Sequence, residues 1–185
     1  MKNPPLYVNG DLPDDQFPEL TECYQIWNEK RGDRFAPSWR ELDFFAFPVN
    51  MIPYCYLVDV RRSPGGWIDF RYRFVGAAVS AIEGRNYTDK SVDDLQPPEL
   101  GPEVRIQFEA FIKNAKPVFF MIQEMGMAPL KKGKQIYGGL RLPLSSDGLT
   151  IDQFIVFSHF ERDPKEIKIY FDELITSYKN EEPPT

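Results

Sequence analysis

The sequence predicts an α+β domain built on a five-stranded antiparallel sheet with helices packed on one face, plus flanking N- and C-terminal helices. Three observations carry that expectation. Phe70, Tyr72 and Phe74 alternate with Arg71 and Arg73, the period of two that marks a half-buried strand. Three further strand-like runs follow Pro117, divided by the polar turns Lys131-Lys132-Gly133-Lys134 and Ser145-Ser146-Asp147-Gly148. Between these groups Val104, Phe108, Phe111 and Ile112 recur at helical spacing, so a helix separates the early strands from the late ones.

Met1 to Pro18 carry four prolines and three aspartates with little periodicity, so residues 1–17 are expected to form an extended N-terminal arm. Pro18 then opens a helix with Leu20, Cys23, Tyr24 and Trp27 on one face, ended by Gly32. Pro37, Pro48 and Pro53 break the next stretch into short pieces around Phe44, Phe45 and Phe47. Strands are expected at about 54–61 and 69–75, joined by Ser63-Pro64-Gly65-Gly66, then broken helix from Gly76 to Leu95 and a long helix at about 102–114. The late strands fall at about 118–125, 135–144 and 153–161. Pro164 introduces a closing helix with Ile167, Phe171, Leu174 and Tyr178 at helical spacing. Residues 18–180 thus make a single domain, followed by a tail at 181–185.

Composition agrees with one folded domain: 185 residues, 42% hydrophobic, 15% aromatic and 27% charged. The net charge of −6 and a pI near 4.9, with basic residues scattered, give no positive stripe for neutralising phosphates, so no nucleic-acid partner is expected. The longest apolar run, Ile151 to Phe160, contains Asp152 and Gln153 and is too short to span a bilayer. Met1-Lys2-Asn3-Pro4-Pro5 lacks an apolar core, so no signal peptide and a cytoplasmic location are expected. Two cysteines, Cys23 and Cys55, and one histidine, His159, make neither a disulfide framework nor a zinc site of ordinary spacing.

An ordered set of short motifs adds to this: Trp27 with Arg31-Gly32, Pro37-Ser38, Leu57-Val58-Asp59-Val60, Phe70-Arg71-Tyr72-Arg73-Phe74-Val75-Gly76, Gly84-Arg85, and Thr88 to Leu95. Across residues 20–161 this set resembles a bacterial family of free-standing PAS-like domains, and the element order is similar to the PAS fold. Trp39 and Asp89 depart from that family, which places arginine after Pro-Ser and glycine after the threonine; aspartate tolerates the left-handed turn better than most residues. The resemblance implies a sensory or interaction module rather than a catalyst, holding a small molecule between sheet and helices or serving as a docking unit. No output domain fits in 185 residues, so a signal is expected to leave through a regulatory protein partner.

Gly84-Arg85-Asn86-Tyr87 is similar to the start of the flavin-binding blue-light subgroup, but Tyr87 stands where that subgroup has its adduct-forming cysteine. His159 is the only imidazole that could ligate a haem, and is expected to be a hydrogen-bonded or exposed strand residue. No cofactor can be named. Asp89, Asp93 and Asp94 suit a turn and helix start better than a metal or acid–base pair. With no catalytic or metal-binding set in view, the rival to a binding module is a small enzyme of unknown reaction using the same pocket.

Alternation divides the strands into two faces. Phe70, Tyr72, Phe74, Phe120, Ile122, Leu140, Leu142, Val156 and Ser158 are expected toward the helices, against Arg71, Arg73, Met121, Gln123, Tyr137, Arg141, Phe157 and His159 on the other side. Candidate ligand-binding residues are therefore Tyr72, Phe74, Phe108, Phe111, Phe120, Leu140 and Ser158. They imply either a filled core or a cavity for a small apolar or aromatic ligand, and not a charged cleft. The apolar stripes of the two flanking helices need cover. A homodimer is expected, with Leu20, Tyr24 and Trp27 or Phe171 and Leu174 at its interface.

Overall fold

The structure, a computed structural model, describes residues 6–12, 16–126 and 133–159. Its strands are β1 (Leu6–Gly10), β2 (Cys55–Arg62), β3 (Ile68–Val75), β4 (Val118–Gly126), β5 (Gly133–Leu144) and β6 (Gln153–His159). They form one antiparallel sheet in the order β1-β4-β5-β6-β2-β3. The helices are α1 (Pro18–Arg31), α2 (Ala77–Glu83) and α3 (Leu100–Asn114), with single 3-10 turns between them. The α+β class and the five expected strands are present. The sixth strand comes from the stretch read as an arm: Leu6 to Gly10 pair with Gln123 to Phe119 and close the edge that β4 would otherwise expose.

The sheet has helical cover on both faces. α1 starts at Pro18, whose missing N–H is tolerated in a first turn, and carries Glu19 at its start and Lys30 and Arg31 at its end, in keeping with the helix dipole. Its buried residues Leu20, Cys23 and Trp27 lie in one core with Leu57, Met121, Leu142 and Phe157 of the sheet. The Trp27 indole donates to the Pro143 carbonyl at 2.8 Å, so its one polar atom is satisfied inside. The stripe offered as a subunit interface is thus consumed within the chain at Leu20 and Trp27, with 0% and 1% exposure, while Tyr24 is half-buried. Phe171 and Leu174 lie outside the described residues.

The opposite face packs on α2 and α3. Val58, Phe70, Tyr72, Phe120, Phe154 and Val156 of the sheet share a core with Phe108 and Phe111 of α3. α2 begins after Gly76, where a Cβ would collide with the Pro53 carbonyl; only glycine lets β3 end so close to the turn that enters β2.

Two face assignments need correction. In β5 the expected alternation is reversed: Leu140, Leu142 and Leu144 lie in the α1 core, and Arg141 points toward α3. The register decides this, since Arg141 pairs with Val156 and Gly139 with Phe120, both on the α3 side. In β3 the pairing shifts between Leu57 and Val58, so Leu57 faces Phe74 while Val58 faces Tyr72. Arg73 is the extra residue of this bulge, and the slip turns Phe74 away from Tyr72 and onto Phe44, their centroids 5.8 Å apart.

Candidate functional site

A cavity of about 120 Å³ lies between the α3 side of the sheet and the helices. Strands β3, β4 and β6 supply Tyr72, Phe120 and Ser158 to its lining, and α3 supplies Phe108. Phe111 lies in the same core at 2% exposure. Leu140 and Phe74 do not reach the cavity, for the reasons of register given above.

Beside the cavity, β5 is bare at its centre. A Cβ on Gly139 would run into the Phe120 ring, so the ring lies directly over the main chain there. On the other side of the sheet a Cβ on Gly138 would meet Phe17 at 2.9 Å and Phe119 at 3.3 Å. Two adjacent glycines in a strand interior are a signal that something approaches the backbone closely, and they could have been weighed as such in the sequence.

One polar side chain dominates the interior. Arg141 is 2% exposed, and its guanidinium carbon stands 4.9 Å from the Phe108 centroid, 5.1 Å from Phe120, 5.4 Å from Phe111 and 6.0 Å from Phe154. Aromatic faces attract a cation, which is how an arginine can occupy a position expected to be apolar. The expectation of an interior without charge is therefore overturned. Tyr56, Glu83, Glu103 and Gln107 also border the cavity, and none of them was singled out from the sequence; Tyr137 borders it too, on the α3 side rather than on the opposite face where alternation had placed it.

Tyr72 completes the polar inventory. Burial pushes its hydroxyl well above the ordinary value, reinforced by Tyr56 and Glu83 and opposed by Arg141. The phenol stays protonated and can donate. Its ring lies beside Tyr56 at 5.7 Å and Tyr87 at 6.2 Å, and the Tyr87 hydroxyl accepts from the Gln96 N–H at 3.2 Å.

The other titratable groups sit elsewhere. His159, opposite Gly138, is on the α1 side, its Nε2 3.5 Å from a Glu19 carboxylate oxygen and its ring 5.7 Å from Phe17; the sheet separates it from the cavity. Cys23 and Cys55 are buried in the α1 core, and burial pushes both thiols up, Cys55 to about 12, which keeps them protonated. Also on the α1 side, an open cleft of about 610 Å³ contains Asp59, Arg73 and Gln153. Burial would raise the Asp59 carboxyl, but hydrogen bonds from Arg73 Nε and Gln153 Nε2, both at 2.8 Å, with the Arg73 charge, outweigh it and hold the group below its ordinary value. Among the described residues no three His, Cys, Asp or Glu side chains converge as a metal-ligand set, and no helix is long and apolar enough to cross a membrane.

No protein-family model and no curated protein sequence matches the chain. Among solved structures it is similar to a light-oxygen-voltage domain studied with a flavin analogue, at 10% identity over 69% of this chain and 87% of that one, with a TM-score of 0.46. It is also similar to an RNA-binding light-oxygen-voltage receptor, at 11% identity over 98% of this chain and a TM-score of 0.46. The chain spans 45% of that receptor's length. Element order identifies the fold: two strands, a helical excursion that packs on one face, then three strands, all antiparallel in one sheet. The fold is PAS-like. Within that PAS-like frame the cavity lies between sheet and helices, and α1 with β1 is added around the frame.

Proposed function

We propose that this chain is a non-catalytic PAS-like sensory module that takes a small, largely apolar ligand between its sheet and α3 and passes occupancy of the cavity to a regulatory protein partner. The observation that carries this reading is the cavity itself, walled by Val79, Leu95, Phe108 and Phe120, with Arg141, Ser158, Gln107, two glutamates and several tyrosine hydroxyls set among them. Apolar walls with placed polar groups are the composition of small-molecule pockets. A cavity of about 150 Å³ holds one benzene ring, so about 120 Å³ suits a single ring or a short chain. α3 meets that space through Val104, Gln107 and Phe108; a ligand would bear directly on its seating. The homodimer stays within the proposal, resting on Phe171 and Leu174 now that the α1 stripe is used inside the chain.

A small enzyme using the same cavity has one observation on its side, the half-buried carboxylates Glu83 and Glu103 at its lining. Native mass spectrometry of the full chain, purified from its own host, separates the readings. A bound small molecule of constant mass, lost in a Val79→Phe variant that keeps its fold, is the expected result. A wild type that carries no small molecule and whose melting temperature is unmoved by a panel of one-ring compounds overturns the sensory reading. Conversion of the bound compound by the purified chain would establish the enzyme instead.

A further inference from the structure

A guanidinium carries five N–H donors in a fixed fork, and its charge is costly to bury without a partner. Arg141 has one hydrogen bond among the described residues, from Nη1 to the Gln107 carbonyl at 3.5 Å, the outer limit for such a bond. Its Nε is buried with no acceptor. No carboxylate of the described residues stands within ion-pair distance of it. The four phenyl rings attract the positive charge, yet a ring face is a poor substitute for an acceptor oxygen, and the buried Nε–H is left unanswered. Arg141 also lines the cavity. A nearly unpartnered cation, 2% exposed, thus borders a space the size of one ring.

We propose that the ligand of this cavity is a monocarboxylic acid, its carboxylate paired with Arg141 and its single ring or short apolar chain held by Phe108, Phe120 and Val79. The proposal rests on the ligand-binding reading above and names the chemical class of the ligand. A carboxylate matches the guanidinium fork with two parallel hydrogen bonds and supplies the missing acceptors. The protonated Tyr72 hydroxyl at the same cavity is a further donor for it. Glu83 and Glu103 border the same space, so a second negative charge on the ligand meets like charges and a monoanion is selected over a dianion.

Calorimetric titration of the full wild-type chain with benzoate and with its neutral isostere benzamide tests the idea, together with the Arg141 Nε–H resonance followed by nuclear magnetic resonance. Benzoate is expected to bind about tenfold or more tightly than benzamide and to shift the Arg141 resonance. The preference is expected to disappear in Arg141→Met, with benzamide binding retained. Equal binding of the two compounds with the resonance unmoved overturns the acid while leaving an apolar-ligand cavity in place. Binding of neither, nor of other one-ring acids, overturns the acid and the cavity reading together. If Arg141→Met does not fold, the resonance in the wild type decides.

Discussion

Asp89 shows how much a single residue can reveal. A position where the resembling family keeps glycine holds aspartate, and the structure gives it φ of 64°, the left-handed conformation for which aspartate is better suited than most residues. Its N–H bonds the Tyr72 carbonyl at 2.7 Å, so this turn holds the outer edge of β3 beside the cavity. Arg141 was not legible in the same way, because alternation sends a charge outward by default and cannot count the phenyl rings that gather around it. Asp59 gives a prediction at this scale. Its carboxyl lies below its ordinary value near 3.8 in the folded chain, so its stabilising effect is complete above that value and is lost as pH falls through the folded-state value. Asp59→Asn should therefore be less stable than wild type at neutral pH and show a shallower loss of stability below about pH 4, as read from denaturant midpoints across a pH series.

At the scale of elements, the strands and α3 were legible because periods of two and of 3.6 survive in their apolar residues. β1 was not: five residues beside a proline-rich stretch carry too short a pattern, and only the open edge of β4 tells the chain to extend there. The bulge in β3 was equally hidden, since one added residue leaves the letters alternating while the faces change over. α3 supplies the prediction that belongs here. Phe111 is 2% exposed and packs edge-on against Phe154 at 5.2 Å and beside Arg141. Phe111→Ala should cost about 3–5 kcal/mol by chemical denaturation, and a loss under about 1 kcal/mol would mean that α3 does not present this face to the sheet.

For the molecule as a whole, the sheet is a partition between two cores, one closed by α1 and one by α2 and α3. Because Trp27 belongs to the first core rather than to a subunit interface, Trp27→Glu should unfold the chain instead of only changing its subunit number. Circular dichroism read alongside sedimentation distinguishes the outcomes, and a folded monomer produced from a wild-type dimer would return Trp27 to an interface. The partition is thinnest at Gly138 and Gly139, where phenyl groups rest on the main chain from both sides. That arrangement ties the choice of residue at one position to the choice at another. Gly139→Ala alone should destabilise by about 1–3 kcal/mol through overpacking, Phe120→Leu alone should loosen the cavity, and the double variant should recover part of the loss from each, measurable as a coupling energy in a double-mutant cycle. In a population of related chains, bulk at 139 and a ring at 120 should exclude each other, so changes at these two positions are expected to come in pairs rather than singly.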